Sequence, residues 1–161
     1  MTTPLNASHF AGAPVQRVAA VVVSHGQAEE VRALLPALEP QVDEVVVVAN
    51  LPRSAPEGVR AIENERPRGF AANANAGIAA TSAELVLIAN PDAVPDPGAV
   101  PALREFMEAH PRCGVAGPRM LYPNGTWQPS RRRFLTRRTL WHWRGILRFV
   151  RKHPERLRAL R

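Results

Sequence analysis

Cysteine occurs once in the 161 residues, as Cys113, so no disulfide framework can hold the chain together. At this length folding hides roughly 70% of the surface the unfolded chain would expose, which makes such a framework unnecessary. Long apolar runs are also missing. The longest, residues 18–23 and 45–49, are strand-sized and fall far short of the roughly 20 residues of a membrane-spanning helix. Residues 1–16 carry neither the basic start nor the apolar block of a secretory signal, so a cytoplasmic protein is expected. No fixed-period repeat is present. Two phosphate cradles are absent as well: no G-x-G-x-x-G follows the first apolar run, and no Walker A Gly-Lys-Ser/Thr occurs anywhere. A dinucleotide oxidoreductase and a P-loop NTPase are thereby disfavoured.

What remains is a composition with 45% hydrophobic and 22% charged residues, that of a globular domain rather than a disordered chain. The net charge of +7 is unevenly spread. Residues 1–130 hold 9 Arg against 13 acidic residues, a balance of −4, whereas residues 131–161 hold 12 basic residues and one Glu, a balance of +11. A mildly acidic body with a basic end suggests a binding or catalytic domain carrying an attachment segment, not a nucleic-acid-binding domain. Three parts are expected: a flexible leader over 1–16, an α/β domain over 17–130 and a basic tail over 131–161.

Short runs rich in Val and Ile alternate with helix-compatible stretches. Strands are expected at 18–24, 44–49, 59–63 and 84–89, with another near 114–117, and helices near 28–38, 70–80 and 99–110. Continuous apolar strands separated by helices require a mostly parallel sheet covered on both faces. Pro52, Pro56, Pro67, Pro91, Pro95 and Pro97 fall between the elements, where a missing amide hydrogen costs nothing. Asn124-Gly125 centres a hairpin over 121–127, because both residues tolerate positive φ. The same Asn124 opens an Asn-Gly-Thr glycosylation pattern, but without a secretory route the hairpin is the preferred reading.

The strands end in polar residues: Ser24-His25, Asn50, Asn64 and Asn90-Pro91-Asp92. In a parallel sheet all carboxyl ends point one way, so these residues should line one crevice, the usual ligand site of open α/β folds. Strands also end in polar turn residues for purely local reasons. Asp92, in a proline-flanked turn, suits Mg²⁺ or Mn²⁺, which take oxygen ligands and complete their shell with water and phosphates. It equally suits a turn Asp bonded to its own backbone.

The order of Val21 to His25, Val45 to Asn50, Arg68 to Ile78, Asn90 to Ala93 and Gly117 to Thr126 resembles family 2 glycosyltransferases, and within them the rhamnosyltransferase-like branch. The resemblance runs from Val18 to about Thr139. It implies a GT-A-like (Rossmann-like) fold, a nucleotide-diphosphate-sugar donor, a divalent metal, Mg²⁺ or Mn²⁺, and a glycan or lipid-linked acceptor, as in cell wall or polysaccharide biosynthesis. Asn90-Pro91-Asp92 matches the family's variant of the Asp-x-Asp motif, so Asp92 would hold the metal on the donor diphosphate. Ser24, His25 and Asn50 match positions that hold the nucleoside, and Arg68, Phe70, Asn73 and Asn75 match the loop and helix start beside it. A helix starting near Ala71 would present free amide hydrogens to an anion, and Arg68 a charge-assisted bond. The alternatives are a solvated loop for Arg66 and Arg68 and helix capping for Asn73 and Asn75.

Two departures from the family stand out. Ala49 occupies the second-strand end, where the family usually has an acidic residue contacting the base. The chain is also short: the acceptor half that carries the catalytic carboxylate is expected to be missing, which leaves the catalytic base unknown. Downstream of Asp96 the only acids are Glu105, Glu108 and Glu155, and the first two fall on a covering helix. The rival reading is therefore an inactive donor-binding remnant or an interaction module.

In the tail, Arg residues crowd 131–138, and Leu140, Trp143, Leu147 and Val150 then recur at helical spacing with Arg144, Arg148 and Arg151 on another side. This pattern is a basic amphipathic helix. It can pack its apolar stripe on protein, or lie on an anionic membrane at the inner face with Trp141 and Trp143 at headgroup depth. RNA contact by the Arg cluster is the weakest alternative, since no recognised RNA-binding module frames it. No nucleic-acid partner is expected.

Overall fold

The computed structural model describes residues 15–129. The leader and the amphipathic helix expected in 131–161 lie outside the described residues, save for positions 15 and 16. The chain divides into two compact units, Met1–Pro118 and Arg119–Arg161.

The first unit runs β1 (Val18–Ser24), α1 (Ala28–Leu38), a 3₁₀ turn (Glu39–Gln41), β2 (Glu44–Ala49), β3 (Ala61–Glu63), α2 (Phe70–Ala79), β4 (Leu85–Ala89) and α3 (Ala99–Ala109). The four strands form one sheet in the order β3-β2-β1-β4, and every pairing is parallel. Consecutive Val residues favour this arrangement, because a central parallel strand is buried on both faces and β-branched side chains pack well on a pleat. Every residue of β1 is buried. Side chains alternate across the sheet. Ala20 and Val22 join Val31, Leu34 and Leu38 of α1, Val47 of β2 and Val100 of α3 in one core. Val21 and Val48 face the other way, against Gly77 of α2. Two carboxylates cap amides at the amino ends of the strands: Asp43 accepts from the Val18 N–H at 2.7 Å and Glu84 from the Arg17 N–H at 2.9 Å.

The parallel, helix-flanked Rossmann-like sheet expected of a GT-A-like domain is thus what the chain forms. The helices agree with the sequence reading to within one residue at their ends. Two strands differ. The third covers 61–63 rather than 59–63, because Gly58 turns at φ +82° and pairing with β2 starts only where the Val47 N–H reaches the Arg60 carbonyl. Residues 114–117 form no strand; Val115 is 90% exposed, so its apolar side chain is not buried as a sheet strand's would be.

Within the second unit, β5 (Met120–Leu121) and β6 (Trp127–Gln128) pair antiparallel. Gly125 takes φ +78° in the connecting turn, and the Asn124 side chain accepts from the Thr126 N–H at 3.0 Å. The hairpin expected from Asn124-Gly125 is present, with β6 ending one residue later at Gln128.

Candidate functional site

All four strand ends meet loops at one rim of the sheet, and a cleft of about 450 Å³ opens there. His25 and Gln27 border it beyond β1, Asn50 beyond β2, Arg68 and Phe70 at the start of α2, and Asn90, Pro91 and Asp92 beyond β4. Asn73, one turn into α2, completes the floor with Val23.

The loops are tied from below by short polar side chains. Ser24 is fully buried and its Oγ accepts from the Gln27 N–H at 3.2 Å, while its carbonyl accepts from the Asn50 N–H at 2.8 Å. Ser54, also fully buried, accepts from the Gly26 N–H at 2.8 Å and the Leu51 N–H at 3.2 Å. Gly26 itself sits at φ +84°, a conformation that disfavours any residue with a Cβ.

Asn50 and Asn73 line the cleft, and Asn64 bonds to both. Asn50 Oδ1 accepts from the Arg68 N–H at 2.7 Å and from Asn64 Nδ2 at 3.0 Å, and Asn50 Nδ2 donates to the Arg68 carbonyl at 2.9 Å. Asn64 Nδ2 also donates to Asn73 Oδ1 at 2.7 Å, and Asn73 Nδ2 to the Arg68 carbonyl at 3.3 Å. Asn50 and Asn73 are 5% and 1% exposed, so these bonds replace water that cannot reach them. The network clamps the backbone of residue 68 and so fixes the entry to α2.

That entry is suited to an anion. Gly69 caps α2 without any side-chain hydrogen bond, and the first-turn amides of a helix have no intrahelical acceptors. Arg68 is exposed beside them, and its guanidinium makes no hydrogen bond or ion pair with the described residues. Phe70 is 55% exposed at the same edge, an apolar face open to a ligand.

Across the cleft, the Asn90 carbonyl accepts from the Ala93 N–H at 3.1 Å and closes the turn that carries Asp92. The Asp92 carboxylate is exposed and makes no hydrogen bond or ion pair among the described residues. It therefore does not bond its own turn. No cluster of three or more His, Cys, Asp or Glu side chains exists among the described residues. A cation here would have Asp92 as its protein carboxylate and would take its other ligands from phosphate and water, a donor set that fits Mg²⁺ or Mn²⁺.

The structure brings six of the eight sequence-derived residues to this cleft: His25, Asn50, Arg68, Phe70, Asn73 and Asp92. Ser24 lies beneath it and holds a loop. Asn75 is exposed on α2 and does not line the cleft. Asn90 and Pro91 line the cleft as their strand-end positions predict, whereas Asn64, predicted to line it as well, ties Asn50 to Asn73 instead; Gln27 and Ser54 were not among the expected residues. Asn64 was legible as a strand-end residue, whereas Ser54 carries no sequence signal, since its partner Gly26 lies 28 positions away.

A larger hollow of about 600 Å³ lies among Arg17, Asp43, Glu44, Arg60 and Thr81, near the amino ends of β1 and β2. Its polar groups already serve each other: Arg60 pairs with Glu44, and Thr81 donates to Glu44 at 2.7 Å. The cleft whose carboxylate and guanidinium have no partner among the described residues is the chemically available one.

Fold and cleft together define a parallel α/β domain with a ligand crevice at the carboxyl ends of its strands. The family model for glycosyl transferase family 2 matches residues 21–158. The chain belongs to glycosyltransferase family 2. Among solved structures it is similar to the mannosyltransferase PcManGT from Pyrobaculum calidifontis, in complex with GDP-Man and Mn²⁺. The two are 21% identical with a TM-score of 0.46, over 55% of this chain and 32% of that one. The chain thus matches about a third of that protein's length. No curated protein matches it.

Proposed function

We propose that the cleft binds a nucleotide-diphosphate-sugar together with one divalent cation, and that the chain serves glycosyl transfer to a glycan or lipid-linked acceptor. The observation that carries this reading is the Asp92 carboxylate, without a partner among the described residues, sharing one cleft with Arg68 and the amino end of α2. Asp92 would hold Mg²⁺ or Mn²⁺, which offsets charge on the departing diphosphate oxygens. Arg68 and the α2 amides orient the phosphates, and Phe70 offers an apolar face to the nucleoside or sugar. The resemblance to the rhamnosyltransferase-like branch favours rhamnose as the sugar.

Transfer to a hydroxyl needs a base near the attacking oxygen. Among the described residues Asp92 is the only carboxylate lining the cleft, and metal binding would occupy it. Glu105 and Glu108 are exposed on α3 and do not line the cleft. This supports a second reading, in which the first compact unit is a donor-binding module and the proton acceptor comes from elsewhere. We further propose a cytoplasmic location, with residues 131–161 touching anionic membrane at its inner face; liposome co-sedimentation that is insensitive to anionic lipid would refute that contact.

The test is a thermal-shift panel of dTDP-, UDP- and GDP-sugars with and without Mn²⁺, since a ligand of the native state raises its apparent stability. A metal-dependent shift with at least one sugar nucleotide is expected. No shift with any of them contradicts the proposal.

A further inference from the structure

The backbone of Arg68 fixes the orientation of the Asn50 amide. Its N–H must meet an oxygen, at 2.7 Å, and its carbonyl must meet an N–H, at 2.9 Å. Exchanging oxygen and nitrogen would oppose donor to donor and acceptor to acceptor. Asn50 Nδ2 therefore has one hydrogen left, and it lies 2.9 Å from His25 Nδ1. An amide nitrogen accepts no hydrogen bond, so Nδ1 must supply the lone pair and the neutral ring must carry its proton on Nε2. Nε2 has no hydrogen-bond partner among the described residues, and His25 is an exposed residue lining the cleft.

We propose that Asn50 locks His25 in the Nε2–H tautomer and thereby makes His25 a fixed hydrogen-bond donor to an acceptor oxygen of the bound nucleotide. Asn50 is a positioning residue in this scheme, and His25 sets which ligand edge is accepted. Arg68 also offers only donors. The ligand edge beside them must therefore carry acceptors, which a base carbonyl and a phosphate both supply. The identity of the ligand rests on the nucleotide-sugar reading above, whereas the tautomer does not.

The first experiment is a long-range ¹H–¹⁵N correlation of the imidazole groups of the ligand-free chain at about pH 8.5, where an ordinary imidazole is neutral. His25 should show a protonated Nε2 and an unprotonated Nδ1 without averaging, and a scalar coupling across the bond to Asn50 Nδ2. In Asn50→Asp, where an acceptor replaces the donor, the proton should move to Nδ1. An averaged ring, or Nδ1–H in the unsubstituted chain, overturns the proposal. The second experiment compares UDP and pyrophosphate binding in Mn²⁺. His25→Phe should weaken binding about tenfold, the loss of one donor, and His25→Gln, whose amide N–H reaches the Nε2 position, should recover most of it. Loss with UDP alone assigns the acceptor to the nucleoside, and loss with both ligands assigns it to phosphate. Undiminished binding of both ligands by His25→Phe overturns the donor role. If the unsubstituted chain binds no nucleotide, the functional reading and the ligand half of this proposal fail together, while the spectra still decide the tautomer.

Discussion

Gly77→Ala sets two opposed effects against each other in the element that positions the cleft. Alanine in a helix interior is favoured over glycine by about 1 kcal/mol. Against this, a Cβ at position 77 would lie 3.1 Å from Val21 Cγ2 and 3.2 Å from Val48 Cγ2, and would overlap Val21 Cγ1 outright. Val21 and Val48 are fully buried. Val21 is paired on both sides, to Val46 and Ile88, so it cannot retreat along the sheet. Overpacking of this kind costs about 1–3 kcal/mol, and with no room to yield the upper end applies. The net expectation is about 2 kcal/mol of destabilisation, or a fall in Tm of roughly 8 °C for a domain of this size. Because α2 would be pushed off the sheet, Arg68 and the first-turn amides would move with it, and nucleotide binding should weaken in parallel. Differential scanning calorimetry checks the first effect and titration calorimetry the second. Gly114→Ala is the control: nothing lies within 4 Å of its added Cβ, so Tm should hold or rise slightly. A Gly77→Ala chain as stable as the parent refutes the close packing of α2 on β1.

Further expectations concern the rim and the opposite end of the sheet. Asn73→Ala removes one of the two acceptors of Asn64 Nδ2 and leaves space at a site only 1% exposed; chemical denaturation should show a loss of about 1–3 kcal/mol. Arg68→Ala removes an exposed guanidinium with no described partner, so Tm should stay put while affinity for nucleoside diphosphates falls at least tenfold, less so at high salt. The Glu84 carboxyl is held below its usual range by the backbone N–H groups of Glu84 and Arg17. A group whose folded pKa is depressed adds stability above its unfolded pKa and loses it as pH falls through the folded value. The Tm of Glu84→Gln should therefore lie slightly below the parent's at neutral pH, with the two converging as the pH falls through the depressed folded value of Glu84.

Much of this architecture follows from local pattern. The Val runs of β1 and β2 could be buried only as central parallel strands, and the polar residues after them marked the rim. Pattern reached less far where tertiary placement decides. β3 needed the turn at Gly58, and 114–117 had no neighbouring strand to pair with among the described residues. At the site, the sequence showed which residues end strands but not what their amides bond. Asn50 and Asn73 read as groups facing a nucleotide. In the fold they bond Asn64 and the backbone of Arg68, an outcome set by three chain segments converging on one point. Asp92 is the converse: turn chemistry allowed its carboxylate to bond its own backbone, and only the structure shows it in the cleft with no partner among the described residues.

The claim on which the functional account depends is that a cation on Asp92 joins the chain to a sugar nucleotide's diphosphate. The direct measurement is titration calorimetry of the parent and Asp92→Ala with sugar nucleotides, each with Mn²⁺ and with chelator. The parent should bind only when Mn²⁺ is present, and Asp92→Ala should bind equally weakly in both conditions while keeping the parent's Tm in the absence of ligand. Equal, metal-independent binding by the parent and Asp92→Ala would contradict the account.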